Sequence, residues 1–558
     1  MLQRLATAST RRGWPSGPCT CSHTRRQISS SSSPPSPSSS PATSSTRPTR
    51  LGPPIPDLHQ VLHDPEAVKL NLKRRNSPVP PSVVDELRNL EHHTARLRSQ
   101  LQSARERRNQ LTLLNKDRET MTDASREEAK TIKERIKQLE PDLNEHRARM
   151  QFLALSLPNR SHPSSPVGAE DQAKLIKYLG PKVASNEQRV SLKDHARLCA
   201  TDLDWTDFPT ASLISGNSWP MLKNTGAKLE LALTQYALSI ALKNKFELVL
   251  PPDVVRSEIA ERCGFQPRDQ GEAQQTYFLG DGGERPNQND LCLVGTAEIP
   301  LVSMNAGQNF RAEQLPKRIV GLGRAFRAEA GARGQESRGL YRVHQFSKIE
   351  FVIVSPDDQS QRLLDELVRL QIEILSGLGL SLRVLEMPTE ELGVSAQRKV
   401  DIEAWMPGRG KWGEVSSASN CTDWQARRLL MRYRPSGKEQ ETEGIRKEQG
   451  KELEDLNIPT PAALEATALY PSQFENPAPA SSSGSGNVWC HTLNATAAAI
   501  PRLIVAIMEN GVVLDREGKV ERVRLPGCLK RWWLEGGKAD ERIIEWVDEG
   551  EAPSISSE

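Results

Sequence analysis

The sequence predicts a helical hairpin followed by a mixed domain of helices and strands, and three observations predict it. Apolar residues repeat at heptad spacing in two long stretches between residues 83 and 157. From about residue 165 the pattern changes to alternating helix and strand segments. The chain has 558 residues, enough for several folding units, and no run of 18 apolar residues, which argues against an integral membrane protein.

The beginning of the chain has the composition of a targeting sequence. Residues 1–56 contain seven arginines and no acidic residue, which is typical of a mitochondrial transit peptide. Residues 28–56 are rich in Ser and Pro and are expected to form a flexible linker. We therefore predict a transit peptide and linker over residues 1–55 and a location in the mitochondrial matrix. A merely disordered Ser/Pro-rich extension is the alternative interpretation.

Two heptad seams predict the helices of the hairpin. They consist of Val83, Leu87, Leu90, Thr94, Leu97, Leu101, Ala104, Arg108 and Leu111, and of Ala129, Ile132, Ile136, Leu139, Leu143, His146, Met150, Leu153 and Leu157. The polar segment 115–125 is expected to form the tip, and Pro141 is expected to bend the second helix without breaking it. The outer face is basic, which by itself is also typical of a solvated helix face.

Residues 324–353 carry the chemistry that points to a ligand. The segment predicts two strands around a Gly- and Arg-rich loop, with Arg327 and Glu329 on one face of the first strand. The matching face of the second strand carries Arg342, His344, Phe346, Lys348 and Glu350. Arginine forks bind phosphate oxygens and an aromatic ring stacks on a base, so this face favours a nucleotide. A solvated strand with paired charges is the alternative.

Several long motifs in one order resemble class II aminoacyl-tRNA synthetases, and in detail seryl-tRNA synthetases. FRAEAG…RGLYRVHQFSKIE resembles motif 2, and Thr296-Ala297-Glu298 resembles the serine-binding triplet of that family. The other matching segments are the helix and strand of motif 1 (226–252), GEVSSASNCTDWQARR (413–428), motif 3 (491–510) and an N-terminal arm ending in LPN. The resemblance covers about residues 55–545, apart from 436–486.

The resemblance implies a fold, a reaction and partners. The fold would be α+β, with an antiparallel-sheet class II catalytic domain over residues 163–545 and a tRNA-binding coiled-coil arm over residues 56–162. A low-complexity insertion over 436–486 and a disordered tail over 546–558 complete the predicted organisation. The reaction would be ATP-dependent activation of L-serine to seryl-adenylate and transfer of serine to the 3′ end of tRNA-Ser, with Mg²⁺ as cofactor, in a homodimer.

The resemblance also assigns roles to individual residues. The serine-binding set is Thr296, Ala297, Glu298, Glu350, Asn494 and Thr496. The ATP-binding set is Arg327, Ala328, Glu329, Arg342, Val343, Phe346, Glu414, Val415, Ser416, Ser417 and Arg502. Within these sets Arg327, Glu350 and Arg502 would be the catalytic residues. Phe346 and Arg502 would enclose the adenine, and Glu350 would read the serine hydroxyl.

Glu414 and Ser417 are the ligands that the resemblance assigns to Mg²⁺. They are three residues apart, so regular strand alternation would put them on opposite faces. Shared metal ligation therefore requires a β-bulge between them.

Some residues depart from the family pattern or have a simpler explanation. Gly295 replaces a proline, Thr496 replaces a serine, and Pro501 replaces a glycine before Arg502. Thr496 is also compatible with a helix cap, while His344 and the cysteines near the motifs are interpreted as structural.

Two rival functions are a catalytically inactive binding protein with this fold and a relative that loads an amino acid onto a carrier protein.

Overall fold

The computed structural model describes residues 51–114, 122–183, 193–265, 275–280, 290–329, 339–435, 487–536 and 543–547. Residues 1–50 of the predicted transit peptide and linker, 115–121 of the predicted tip, the insertion over 436–486 and residues 548–558 of the predicted tail lie outside these residues. The predicted start of the disordered tail at 546 is wrong, because Trp546 and Val547 belong to a strand, Ile544–Val547. In the part that is described, none of the helices is both long and apolar enough to cross a bilayer.

The helices and strands are numbered in chain order. The helices are α1 (His59–His63), α2 (Pro65–Arg74), α3 (Ser82–Leu114), α4 (Asp123–Ser156), α5 (His195–Thr201), α6 (Phe208–Ser215), α7 (Asn224–Lys243), α8 (Ser257–Arg262), α9 (Glu298–Ser303), α10 (Ser360–Ser376), α11 (Trp424–Leu429) and α12 (Ile500–Gly511). The strands are β1 (Lys174–Leu179), β2 (Glu247–Val249), β3 (Val254–Arg256), β4 (Phe278–Leu279), β5 (Leu291–Leu293), β6 (Asn309–Arg311), β7 (Lys317–Phe326), β8 (Gln345–Ser355), β9 (Leu382–Glu386), β10 (Arg398–Met406), β11 (Lys411–Thr422), β12 (Arg432–Arg434), β13 (Val488–Trp489), β14 (His491–Ala499), β15 (Val512–Leu514), β16 (Val520–Pro526) and β17 (Ile544–Val547).

Helices α3 and α4 form the predicted antiparallel hairpin. Arg107 pairs with Glu128 at 2.7 Å and Arg149 pairs with Glu86 at 2.8 Å, so residue numbers rise on one helix as they fall on the other. Helix α4 continues through Pro141, as the unbroken seam predicted. At 1.5 Å per residue, helices of 33 and 34 residues are each about 50 Å long.

Most of the predicted seam lies on the buried face of the hairpin, although Arg108 is exposed, and its apolar residues contribute to two apolar clusters. The distal cluster contains Leu97, Leu101, Ile136, Leu139 and Leu143. The cluster at the base joins both helices to α1 and α2 and contains Val61, Leu72, Val83, Val84, Leu87, Leu153, Ala154 and Leu157. Burial of these apolar side chains, rather than the charges on the outer face, holds the hairpin together.

An eight-stranded sheet forms the centre of the remaining chain, in the order β1-β9-β10-β11-β14-β8-β7-β2. Each neighbouring pair is antiparallel except β2 and β7. The amphipathic helices α7, α10 and α12 contribute to the large apolar core against this sheet. This arrangement confirms the expected α+β fold with an antiparallel sheet.

The strands of the predicted nucleotide-binding hairpin are shorter than we predicted. Strands β7 and β8 pair along their length, but the last pair is Phe326 with Gln345. Arg327 and Glu329 therefore follow the first strand instead of sharing one of its faces, and Glu329 has a positive φ of 47°. His344 precedes the second strand, and its Nδ1 lies 2.9 Å from the Arg327 carbonyl oxygen, in keeping with a structural role.

The boundaries of two predicted segments meet folded residues. Residues 51–55, predicted as the end of the linker, contact the domain: the Ile55 N–H donates to the Arg427 carbonyl at 3.1 Å, and the Pro54 carbonyl accepts from Gln151. On either side of residues 436–486, strands β12 and β13 pair with each other. The chain thus leaves and re-enters this short sheet at neighbouring positions.

Candidate active site

One cavity brings together residues from the β7–β8 hairpin, from β11 and β14, and from the start of α12. Its empty space, including the part open to solvent, is about 490 Å³. Its lining residues are Arg327, Glu329, Leu340, Tyr341, Arg342, Val343, Phe346, Lys348, Glu414, Thr496, Ala499, Pro501 and Arg502. Eight of the predicted substrate-binding residues are among them, although they are spread over more than 170 positions of the chain.

Arg327 and Phe346 form one side of the cavity. The guanidinium of Arg327 lies 5.3 Å from the centre of the Phe346 ring, and its Nε donates a long hydrogen bond of 3.4 Å to the Gly295 carbonyl. Burial, and then the neighbouring Arg502, lowers the pKa of Arg327. The attraction of Glu329 and Glu414 is weaker than these two effects, so the positive charge is only partly compensated and is suited to an incoming anion.

Arg502 contacts a different part of the cavity wall, formed by Tyr341 and Glu414. It donates to the Glu414 carbonyl at 2.9 Å and to the Tyr341 carbonyl at 3.4 Å, and its guanidinium lies 4.7 Å from the Tyr341 ring centre. Pro501 occupies the first turn of α12, where its missing N–H leaves no helical hydrogen bond unmade. The departure from the family pattern at this position therefore leaves Arg502 directed into the cavity.

A buried carboxylate contacts two residues of the cavity wall, Lys348 and Thr496. Glu350 is 2% exposed and accepts from the hydroxyls of Thr296 at 3.1 Å and Thr496 at 3.4 Å. Lys348 forms an ion pair with Glu350. Burial, followed by the nearby Arg327, lowers the pKa of Lys348 to about 7. Thr496 lies within β14 rather than at the start of a helix, so the helix-cap alternative does not apply.

Glu298 provides a second carboxylate next to this group. Its Oε1 accepts from Gln425 at 2.7 Å and from Asn494 at 2.9 Å. Burial raises the pKa of Glu298, while the hydrogen bond from Gln425 opposes that change. A carboxylate held by two amide groups is a suitable partner for a positively charged amino group.

The bulge required between Glu414 and Ser417 is present in β11. Ser417 pairs with Asp401 and Glu414 pairs with Glu403, so the partner strand advances two residues while β11 advances three. Val415 lies within the bulge, and Glu414 and Ser417 are consequently brought to the same face. On this face Asp401 has a buried oxygen, Oδ1, that has no hydrogen-bond partner among the described residues.

Nine of the seventeen predicted residues are not among those that line the cavity: Thr296, Glu298, Glu350, Asn494 and Ser417, and four others that are buried or hydrogen-bonded elsewhere. Val415 packs in the apolar core, and the Ser416 hydroxyl donates to the Thr496 carbonyl. Ala297 is buried in the smaller core, and the Ala328 N–H donates to the Gln275 carbonyl. Any contact of these last four residues with substrate would involve backbone atoms.

The sequence interpretation missed residues that complete the site. Lys348 was recognised as part of a polar strand face but received no role, although its alternation with Phe346 and Glu350 was visible. Tyr341 and Gln425 lay inside matched motifs without an assigned function. Asp401 gave no signal, because only the pairing of β10 with β11 brings it beside Ser417.

The chain is similar to known proteins over both its arm and its sheet-containing domain. Residues 56–160 match the model of the seryl-tRNA synthetase N-terminal domain, and residues 282–445 match that of the class II tRNA synthetase core domain (G, H, P, S and T). A serine–tRNA ligase of Treponema denticola is 36% identical, over 83% of this chain and 96% of that protein. This chain belongs to the seryl-tRNA synthetase family.

Two further seryl-tRNA synthetases illustrate the range of the family. The mitochondrial serine–tRNA ligase of Schizosaccharomyces pombe is 34% identical, over 85% of this chain and 88% of that protein. The crystal structure of the Pyrococcus horikoshii seryl-tRNA synthetase complexed with ATP has a TM-score of 0.68 and 29% identity, and it covers 85% of this chain. Membership in this family identifies the chain as an aminoacyl-tRNA ligase.

Proposed function

We propose that the cavity binds ATP and L-serine end to end, forms seryl-adenylate, and then transfers serine to the 3′ end of tRNA-Ser. The observation that carries this proposal is the convergence of Arg327, Phe346, Glu414 and Arg502 on one cavity that also contains Thr496, a hydrogen-bond partner of Glu350. An adenine would lie against Phe346 and the phosphates beside the two arginines.

The arrangement addresses the main barrier of the activation step. The serine carboxylate must approach the α-phosphate of ATP, so two anions have to meet. Fixed guanidinium groups stabilise the charge that develops there, and binding both substrates in one cavity aligns the reacting atoms. The serine carboxylate itself is the nucleophile, so the protein needs no nucleophilic side chain for this step.

The buried carboxylates supply the selectivity for serine. Glu298 would bind the ammonium group, and Glu350 would accept from the serine hydroxyl through Oε2, since its Oε1 already accepts from Thr296 and Thr496. Alanine would leave a buried hydrogen-bonding group of the site unpaired. Sites of this kind reject the analogue that lacks the hydroxyl by about 10⁴-fold or more.

We further propose that Glu414 and Ser417 hold Mg²⁺, with Asp401 nearby. Carboxylate and hydroxyl oxygens on one strand face suit this hard cation, and the unpartnered Oδ1 of Asp401 offers a further acceptor. Burial raises the pKa of Asp401 to about 6, which still leaves it mostly ionised at neutral pH. When bound with ATP, Mg²⁺ neutralises charge on the phosphate oxygens.

The hairpin of α3 and α4 is our candidate for the tRNA contact. A groove on its surface carries three arginines, Arg98, Arg105 and Arg147, among polar residues. Such a surface suits recognition of a nucleic-acid backbone and of helix shape rather than of bases. Its projection as a separate pair of helices would leave the catalytic cavity accessible to the tRNA acceptor end.

A second copy of the chain is our proposed partner for the motif 1 region. Helix α7 and edge strand β2 with its flank expose four leucines: Leu231, Leu242, Leu248 and Leu250. An open strand edge beside exposed apolar side chains is commonly covered by another chain.

The arginine-rich, acid-free beginning and the similarity to mitochondrial relatives support location in mitochondria.

An amino-acid panel in the ATP–pyrophosphate exchange assay tests the proposed activation step. We expect exchange with serine and none measurable with alanine or threonine. Aminoacylation of tRNA-Ser by the same preparation tests the transfer step. Absence of serine-dependent exchange would favour the inactive binding protein, whereas exchange without tRNA charging would favour transfer to a carrier protein.

A further inference from the structure

A buried histidine and a buried glutamate lie next to the wall of the cavity without being among the residues that line it. His195 is the first residue of α5 and is 2% exposed, and Glu509, near the end of α12, is fully buried. The Nδ1 of His195 lies 2.8 Å from Oε1 of Glu509. A charged side chain in such a position is retained only when its neighbours satisfy it completely.

The hydrogen bonds of this pair connect three separate segments. Oε1 of Glu509 accepts from the ring and the backbone N–H of His195, and Oε2 accepts from the backbone N–H groups of Gly408 at 2.7 Å and Arg409 at 3.2 Å. On the other side of the ring, Nε2 of His195 lies 3.1 Å from the N–H of Leu340. Because Nε2 must accept there, the ring is neutral and carries its proton on Nδ1.

Two segments that are hydrogen-bonded to His195 and Glu509, one at Leu340 and one at Arg409, contribute to the part of the cavity proposed to bind the nucleotide. Leu340 begins the continuous wall segment 340–343. The guanidinium of Arg409 lies 3.3 Å from the centre of the Tyr341 ring, and Arg502 contacts the same ring from 4.7 Å. Tyr341 is therefore fixed through its neighbour Leu340 and through its stacking partner Arg409, both of which depend on the pair.

The backbone next to Leu340 is adapted to the imidazole. Gly339 has a φ of 74°, and a Cβ at this position would overlap the His195 ring at Nε2. Only glycine allows both the backbone conformation and the close approach of the ring.

Asp194, His195 and Glu509 also lie close enough together to suggest a cation site. However, the Glu509 carboxylate is surrounded by N–H donors, both ring nitrogens of His195 are engaged, and Asp194 caps α5 by accepting from Ala196 and Arg197. This environment satisfies the ligand atoms without a metal.

We propose that His195 is a positioning residue for ATP: anchored by Glu509, it fixes the backbone of Leu340 and, through it, the wall formed by Tyr341 and Arg342. The proposal rests on the proposed ATP site. It predicts that the link to Leu340, rather than the bond to Glu509 alone, determines how tightly the nucleotide binds.

Two substitutions separate the two ends of the imidazole. His195→Asn keeps an amide N–H near the position of Nδ1 but offers no acceptor to Leu340, whereas His195→Gln can extend an amide oxygen toward the position of Nε2. We expect H195N to raise the KM for ATP about tenfold in serine-dependent exchange, the effect of one unpaired buried N–H, with the KM for serine changed less than about twofold. H195Q should restore most of the ATP affinity.

The result that would overturn the proposal is an H195N enzyme with an unchanged KM for ATP, or one in which both KM values rise equally. Gly339→Ala provides an independent test if H195N does not fold, because it displaces the ring while retaining His195 and Glu509, and it should also raise the KM for ATP selectively. The wild-type chain is assayed in parallel. A wild type without exchange would contradict the proposed function, whereas normal wild-type exchange with unaffected variants would contradict only the role of His195.

Discussion

The helical arm and the cavity both concentrate charged side chains, but they hold them in opposite environments. On the arm, Arg107 and Glu128 pair with side chains that are 48% and 41% exposed. In the cavity, Lys348 and Glu350 pair with side chains that are only 13% and 3% exposed. Water screens the first pair and is largely excluded from the second. Charge on the arm is therefore expected to serve encounter with a partner, and charge in the cavity to serve chemistry.

The largest effect should come from removing a cavity charge. Arg327→Met should reduce kcat/KM for serine-dependent ATP–pyrophosphate exchange by about 10³-fold, since a preorganised cation facing the reacting phosphate is lost. The thermal unfolding temperature should change little, because the hydrogen bond that the Arg327 guanidinium makes within the described part of the chain, to Gly295, is long.

Arg324→Met is the matched control for that substitution. This arginine lies three residues earlier, is 47% exposed and pairs with Glu230 at 2.9 Å outside the cavity. It should retain exchange activity. Equal losses in the two variants would show that the contrast between buried and exposed charge has no bearing on catalysis.

Shortening the arm should produce the next largest effect, on a different step. Residue numbers of facing positions add to 235 in the pairs Arg107–Glu128 and Glu86–Arg149, so deletion of about residues 94–142 joins facing turns. The basal cluster with Leu87 and Leu153 is retained. Aminoacylation should fall at least about 100-fold because phosphate contacts are lost, while exchange should remain within about twofold. A parallel loss of exchange would contradict this separation of roles.

The pH dependence of ATP binding tests whether the buried ammonium group of Lys348 contributes to binding. The pKa of Lys348 is about 7 in the free protein, and bound phosphates favour its protonated form. Binding above pH 7 therefore takes up a proton, and affinity should fall as pH rises, by at most about tenfold per pH unit. Calorimetry at several pH values measures this slope. Lys348→Met should reduce the slope of ATP affinity against pH. An identical slope in the wild-type and variant proteins would show that Lys348 does not take up the proton.

The smallest effect should follow from breaking an exposed pair on the arm. Arg107→Ala should leave the midpoint of denaturant unfolding unchanged, because solvent screens its interaction with Glu128 and the buried seam remains intact. Leu139→Ala is the contrasting variant, since this side chain is 2% exposed in the distal cluster. This substitution should lower the denaturant midpoint of the transition in which the arm unfolds. A larger effect from Arg107→Ala would reverse the comparison.

The two regions also differ in how far the sequence alone could predict them. The two helices of the arm were predicted nearly in full, because a heptad seam is a repeat of neighbouring residues. The same spacing puts the apolar residues of each helix on one face, and these two faces pack together. The cavity depends on contacts across the chain: Arg327 and Arg502 are 175 positions apart but line one space. Family resemblance supplied that convergence, while strand alternation alone put Arg327 and Glu329 on a strand that ends at Phe326.

The remaining features arise only from three-dimensional pairing. The bulge at Val415 was recognised as necessary, but nothing in the local residues specified it; the register of β10 against β11 does. Asp401, Gln425 and the His195–Glu509 pair became visible only when separate elements were packed together. Patterns along the chain thus predict which elements form, and packing decides which polar side chains meet.

A structure of the protein with a non-hydrolysable seryl-adenylate analogue tests the central claim most directly. We predict the adenine between Phe346 and Arg502, the phosphate mimic beside Arg327, the amino group at Glu298 and the hydroxyl at Glu350. An analogue bound elsewhere, or one in this cavity with its seryl group turned away from both carboxylates, would contradict the account.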